Sequence, residues 1–341
     1  MMKYGVQISR WRTGVPDIVH WVADVGEELG IDSAWTSESY GGEAFTPLAW
    51  MAAKTSRIRL GTGITAMPAR TPTATAMTVM TLDHLSAGRT VLGVGVSGQK
   101  VAEGWYGQSF GKPLKRTREY VDIVRRALDR SDPLGYDGEY YQVPAPGSTA
   151  RGLRSYLHPL RRDVPIWLGA QGPKNIALSG EIGDGMVTGL FAPKASAWYA
   201  EQLEIGFRRA GHTGGKPGFE VAAIVDVRRG RTVTEAAEPL RPTMAFYIAK
   251  MGLPGRNYYY DTFVRLGYAD LCERVSKTYT EHGADAAAAL IPDEMVEAIA
   301  LVGPTEKIVE DLAVWDSSIV DLMVLRGPEE DVKSVLHGAL G

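Results

Sequence analysis

The segment Gly169-Ala170-Gln171-Gly172-Pro173-Lys174-Asn175 joins a short apolar run to a stretch with helical spacing, and its residue types suit an anion. Backbone N–H groups at a helix start have no intrahelical partners, the helix dipole favours negative charge there, and Lys174 or Asn175 can add a side-chain contact. The chemistry implied is the holding of a phosphate-bearing cofactor. A plain tight turn with proline at the first helical position would use the same residues. Two earlier passages, Ile58-Arg-Leu-Gly-Thr-Gly-Ile64 and Thr90-Val-Leu-Gly-Val-Gly-Val-Ser-Gly98, also end in glycines where the chain leaves a buried strand. Glycine there lets a backbone come close to a flat or phosphorylated ligand. The second passage is no dinucleotide fingerprint: its glycines at 93, 95 and 98 begin inside the strand, whereas that motif needs them in the turn after the first strand.

Other chemistries find few residues. The six histidines, His20, His84, His158, His212, His282 and His337, show no HxH or HExxH spacing, and none falls at a predicted strand end, so no metal site is expected. There is no GxSxG elbow, and the single cysteine, Cys272, lies in a helical stretch, which leaves acyl chemistry without a nucleophile. One cysteine also excludes an intrachain disulfide framework and fits a reducing cytoplasm. Lysine plus arginine (37) against aspartate plus glutamate (40) gives a net charge of −3, so no basic field draws nucleic acid or an anionic membrane. No run of 18 apolar residues occurs, and Met1 to Val6 leads directly into a strand pattern; neither export nor a membrane span is expected.

The elements that must position these residues alternate. Strand patterns cover Tyr4–Ile8, Ser33–Ser37, Ile58–Ile64, Thr90–Val96, Pro165–Ala170, Gly185–Gly189, Phe219–Val227 and Asp321–Arg326. Helical spacing fills the intervals, with Pro72, Pro173, Pro193, Pro304 and Pro328 read as first-turn residues. Eight such units predict a closed (β/α)8 TIM barrel, α/β in class, rather than an open doubly wound sheet. A single domain over residues 1–341 is expected, with insertions at about 131–163 after the fourth strand and 252–303 after the seventh. Long loops in a compact domain serve as lids or binding loops, and Tyr140, Tyr141, Tyr258, Tyr259 and Tyr260 supply aromatic surface for a pocket or for lid packing. In such a barrel the carboxyl ends of the strands do the work. That brings forward Glu38-Ser39-Tyr40, Thr65-Ala66-Met67, Ser97-Gly98-Gln99, Gln171 to Asn175 and Leu190-Phe191, with Glu103 and Trp105 just beyond the fourth strand.

A set of motifs resembles the luciferase-like monooxygenase superfamily, and within it the branch that uses the deazaflavin coenzyme F420. These are Ala34-Trp-Thr-Ser-Glu-Ser-Tyr-Gly41, Thr46-Pro-Leu-Ala-Trp50, Leu60-Gly-Thr-Gly-Ile-Thr-Ala-Met-Pro-Ala-Arg-Thr-Pro72, Met80-Thr-Leu-Asp-His-Leu-Ser86, Gly93 to Gly98, Glu103-Gly-Trp-Tyr-Gly107, Leu168 to Asn175 and Gly255-Arg-Asn-Tyr258. The resemblance spans nearly the whole chain and implies the same barrel. It implies a non-proline cis peptide at Gly63-Ile64, whose bulge with Thr65 backs and bends the deazaflavin ring. It further implies that Glu38 contacts the cofactor, that Ser97, Gly98 and Gln99 flank the ring, and that Gln171, Gly172, Lys174 and Asn175 hold the tail phosphate. A homodimer is implied as well. One departure matters: where sugar-phosphate dehydrogenases of the family carry an acid followed by histidine, this chain has Glu38-Ser39, and serine is a poor substitute for an imidazole near neutral pH. Glu38, Tyr40 and Glu103 are then the candidates to supply a proton. The expected activity is hydride transfer between F420 and a small organic substrate, the alternative an FMN-dependent monooxygenase using O2, and a third reading a barrel that only binds.

Overall fold

In the computed structural model, residues 2–8, 13–38, 40–252 and 257–341 are described. Eight parallel strands close into a ring: β1 (Lys3–Gln7), β2 (Ser33–Thr36), β3 (Arg59–Thr62), β4 (Thr90–Gly95), β5 (Ile166–Gly169), β6 (Gly185–Gly189), β7 (Glu220–Arg229) and β8 (Leu322–Arg326). Each pairs with the next, and β8 pairs with both β7 and β1, which makes the sheet a barrel covered by helices.

Alternation along the strands assigns the two faces. Val6, Leu60, Leu92, Ile166, Leu168, Met186, Val225 and Met323 point outward into the main core beneath the helices. Trp35, Val91, Trp167, Val187, Ala222, Leu322 and Val324 point inward and fill the barrel. The two indoles lie 5.2 Å apart, centroid to centroid. They fit because facing positions carry no side chain: a Cβ on Gly61 would lie 2.5 Å from Trp35, and one on Gly185 2.6 Å from Trp167. The amino-terminal end is plugged by charge, with Arg59 bonded to Asp32 at 2.7 Å and to Glu220 at 2.8 Å, and Lys3 to Glu220 at 3.0 Å. This end is a structural seal, and the opposite end remains for chemistry.

Several elements depart from the sequence pattern for identifiable reasons. The third strand does not run unbroken to Ile64: it stops at Thr62 and resumes at Thr65–Ala66. Leu60 and Gly61 face Thr90 and Val91, whereas Thr65 and Ala66 face Val94 and Gly95, so one extra residue is accommodated between them. That is a β-bulge. The Gly63–Ile64 peptide within it is cis. At the close of the second insertion, Ala300–Gly303 is a strand paired with the last residues of β7, because a four-residue buried apolar run has no periodicity to separate strand from helix. The helical stretch after β7 is broken at Pro239 into Val233–Ala237, a short 3-10 turn and Arg241–Ala249. Pro304 and Pro328 occupy N-cap positions rather than the first helical turn.

Between β4 and β5, a small hairpin pairs Tyr136–Asp137 with Gln142–Val143. Its turn is pinned by the buried carboxylate of Glu119, which accepts the N–H groups of Glu139, Tyr140 and Tyr141 at 3.0, 2.8 and 3.3 Å. Beyond β7, helices Tyr258–Arg265, Ala269–His282, Ala284–Ala288 and Asp293–Glu297 close a second apolar core around Phe263, Cys272, Val275 and Met295. Among the described residues no helix is long and apolar enough to cross a membrane.

Candidate functional site

The carboxyl ends of the strands converge on the bulge. Gly63 donates its N–H to the Thr36 carbonyl, and a Cβ at Gly63 would lie 3.2 Å from Trp35 and 3.7 Å from Ile224 of β7, so the bulge rests on the barrel filling. The Ile64 side chain lies in a niche formed by three strand-end glycines. A Cβ on Gly95 would be 2.8 Å from Ile64 Cδ1, one on Gly169 3.1 Å from Cγ2, and one on Gly93 3.5 Å from Cγ2 and 1.8 Å from the Thr62 carbonyl oxygen. These glycines therefore admit the protein's own bulge, and the ligand approach read for them from the sequence passes instead to Ile64. Ile64 is not fully buried.

Glu38 braces this arrangement. Its N–H bonds to the Ile64 carbonyl at 2.9 Å, and its carboxylate accepts the Thr65 hydroxyl at 2.7 Å and the Ala66 N–H at 2.9 Å, with Arg70 at 3.5 Å. With both oxygens engaged and its side chain only 6% exposed, Glu38 fixes the chain on either side of the bulge. Arg70 in turn bonds Glu43 at 2.8 Å and lies over the Phe45 ring. Tyr106 stands beside this cluster; burial first, then the negative charge of Glu38, hold its phenol proton more tightly than usual.

The other candidates divide. Ser97 adopts a left-handed backbone at φ 61°, and with Gly98 and Gln99 it forms the partly exposed rim above β4. Glu103 is exposed and occupied locally: it accepts the Gln99 amide at 3.1 Å and the Phe110 N–H at 3.3 Å, closing the loop after the helix Gln99–Gly104. Tyr40 and Trp105 are each 65% exposed. Ser39, and Gly255 and Arg256 of the later motif, lie outside the described residues. Across the mouth, Gln171 bonds Thr262 at 3.2 Å and accepts the Thr188 hydroxyl at 3.3 Å. Gly172 is the N-cap of the helix Pro173–Ile182, and its missing side chain lets the Tyr258 ring pack over it, since a Cβ there would be 2.8 Å from Tyr258 Cδ1. The Lys174 ammonium and the Asn175 amide make no hydrogen bond or ion pair among the described residues, so both are free to meet a ligand. The donors and the open bulge together fit a flat ring with an anionic tail.

Three further residues at the mouth were not picked out in the sequence: Gln7, Asp226 and Arg326. They continue the inward-facing series Gly5-Gln7, Ala222-Ile224-Asp226 and Leu322-Val324-Arg326, so period-two counting to the strand ends would have found them. Among the described residues no group of three or more His, Cys, Asp or Glu side chains is arranged to hold a metal.

Comparison with known proteins gives the family and the fold. The model of the family described as luciferase-like monooxygenase matches residues 13–322. A protein of Mycobacterium tuberculosis, provisionally named a coenzyme F420-dependent oxidoreductase, is 41% identical over 98% of both chains. The 5,10-methylenetetrahydromethanopterin reductase of Archaeoglobus fulgidus is 28% identical over 96% of this chain and 94% of its own. The solved coenzyme F420-dependent tetrahydromethanopterin reductase of Methanopyrus kandleri superposes with a TM-score of 0.79 at 23% identity, over 99% of this chain and 98% of that one, a likeness of fold. The bulged barrel with its glycine niche therefore has a family: the chain belongs to the luciferase-like monooxygenases.

Proposed function

We propose that the protein is an oxidoreductase that transfers a hydride between coenzyme F420 and a small organic substrate at the mouth of the barrel. The observation that carries this reading is the Ile64 bulge, locked from below by Gly93, Gly95 and Gly169 and from the side by Glu38, with Ile64 not fully buried. A fixed convex surface of this kind can support a ring in one orientation, which is a contribution of positioning rather than of acid or base chemistry. When bound, F420 supplies two-electron hydride chemistry at a ring carbon that replaces the nitrogen of a flavin. Lys174, Asn175 and the start of the helix Pro173–Ile182 would hold its phosphate, with Gln171 and Gly172 beneath, while Ser97, Gly98 and Gln99 line the ring edge. Hydride delivery to a C=C, C=N or C=O group also requires one proton. The protonated Tyr106 hydroxyl beside the Glu38 cluster is the donor in this reading, since Tyr40 is exposed and Glu103 is bonded locally.

Titration with F420 and, separately, with FMN tests the reading through tryptophan emission, because Trp35 lies directly under Gly63. Micromolar or tighter F420 binding with weak FMN binding is expected. The reverse preference would overturn the proposal in favour of an oxygen-using monooxygenase. We further propose a homodimer, supported by exposed Met77 and Leu85 on the helix Pro72–Leu85 and by exposed Leu153, Tyr156 and Leu160 on the segment tied to it through the bond between His84 and the His158 carbonyl. Light scattering at micromolar concentration should report twice the chain mass.

A further inference from the structure

The mouth has a second wall. In the closed order of strands, β7 and β8 lie opposite β3 and β4, so the residues at their carboxyl ends face the bulge across the opening. Asp226 and Arg326 are register partners on β7 and β8, and the pairing of Val6 with Leu325 puts Gln7 beside Arg326 on the next strand. Arg326 donates Nε and Nη2 to the two oxygens of Asp226 at 2.7 and 2.5 Å, which leaves Nη1 without a partner among the described residues. Gln7 is 7% exposed; its Nε2 donates to Ser37 Oγ at 2.9 Å, while its Oε1 is buried with no hydrogen-bond partner among the described residues. Tyr247 and Tyr259, their rings stacked at 4.8 Å, stand near Arg326.

A buried acceptor without a partner carries a penalty that a well-packed apolar residue of the same size would avoid, so its presence at the carboxyl end of the barrel calls for a donor from a ligand. Arg326 Nη1, on the adjacent strand, is a donor awaiting an acceptor. We propose that Gln7 and Arg326 form the substrate-recognising wall of the mouth, taking a planar group that offers an N–H to Gln7 Oε1 and a carbonyl oxygen to Arg326, as the edge of an amide or lactam does. Asp226 holds the guanidinium flat and in place, and the Tyr247–Tyr259 stack supplies an apolar flank for the rest of that group. The inference rests on the reading that the bulge side holds the cofactor, which leaves this side to the substrate.

The test uses 2-pyridone, which has a lactam edge, and N-methyl-2-pyridone, which lacks only the donor, with calorimetric titration of the full-length protein. Binding of 2-pyridone at least tenfold tighter than its N-methyl form is expected, and the preference should vanish in Gln7→Leu. Gln7→Leu should still bind F420 within twofold of the parent. Equal affinity for the two pyridones, no binding of either, or a preference that persists in Gln7→Leu overturns the proposal. Failure of the parent protein to bind F420 would instead overturn the cofactor reading and leave the lactam comparison standing by itself.

Discussion

Adding one methyl group beneath the bulge should weaken cofactor binding, and removing one methyl group from the bulge should restore most of it. In Gly95→Ala the new Cβ would lie 2.8 Å from Ile64 Cδ1 and 3.1 Å from Cγ1, against an ordinary carbon contact of about 3.5–4 Å, so Ile64 must move by about 0.5 Å. Overpacking of this sort costs about 1–3 kcal/mol. The movement is directed outward, toward the face on which the ring would rest, so F420 affinity should fall by about tenfold or more, equivalent to about 1.4 kcal/mol. Ile64→Val alone deletes Cδ1 and should cost about 0.5–1.5 kcal/mol, at the low end because Ile64 is only partly buried. If the clash is the cause, the double variant should be no less stable than Gly95→Ala and should regain most of the lost affinity. The favourable coupling should exceed the roughly 0.5 kcal/mol that independent sites show. Urea unfolding gives the stabilities and tryptophan quenching by F420 gives the affinities. Additive losses in both measurements would refute the account of the glycine niche.

Other perturbations have equally definite outcomes. Burial pushes the Glu27 carboxyl up, but N–H and hydroxyl groups of Ser56, Arg57 and Ile58 outweigh it and hold the pKa down at about 2. A depressed folded pKa contributes stability above the unfolded value of about 4.5 and loses it as pH falls toward 2, so the urea midpoint should drop between about pH 5 and pH 2. Glu27→Gln should lose about 1–3 kcal/mol at pH 7 and show a flatter dependence in that window. Cys272 is fully buried and its thiol is pushed up to about 12, so a thiol reagent at pH 8 should find no reactive group in the native protein and one per chain after unfolding in guanidinium. Lys174→Ala should leave the melting temperature unchanged, since the side chain is exposed, yet raise the F420 Kd by about fivefold or more and lessen its sensitivity to salt. Tyr106→Phe should lower the rate of substrate reduction without changing F420 affinity; a change in affinity alone would remove Tyr106 from the proton role.

Local patterns carried the architecture. The apolar runs of β1 to β8, the helical spacing between them and prolines such as Pro72 and Pro173 at helix starts each reflect a backbone preference that acts within a few residues, so eight units and a closed barrel could be read directly. The motifs around Glu38, Ile64 and Gln171 likewise announced where the mouth would be. What those residues do there was decided in three dimensions. Glycines 93, 95 and 169 look alike in sequence to ligand-facing glycines, yet the atoms that enter the space they leave belong to Ile64 and Thr62. Glu38 reads as an acid, but the return of the chain at Thr65 and Ala66 engages its oxygens. Tyr40 and Glu103 stand near strand ends in sequence, and their exposure depends on which way the following turns lead. Gln7, Asp226 and Arg326 lie far apart in the chain and become one wall only when β8 closes the ring between β7 and β1. Sequence by itself determines which segments bury and how they alternate, because those are local free energies. Which side chain occupies a niche, and which polar atom is left to meet a ligand, depends on contacts between strands that are neighbours only after closure.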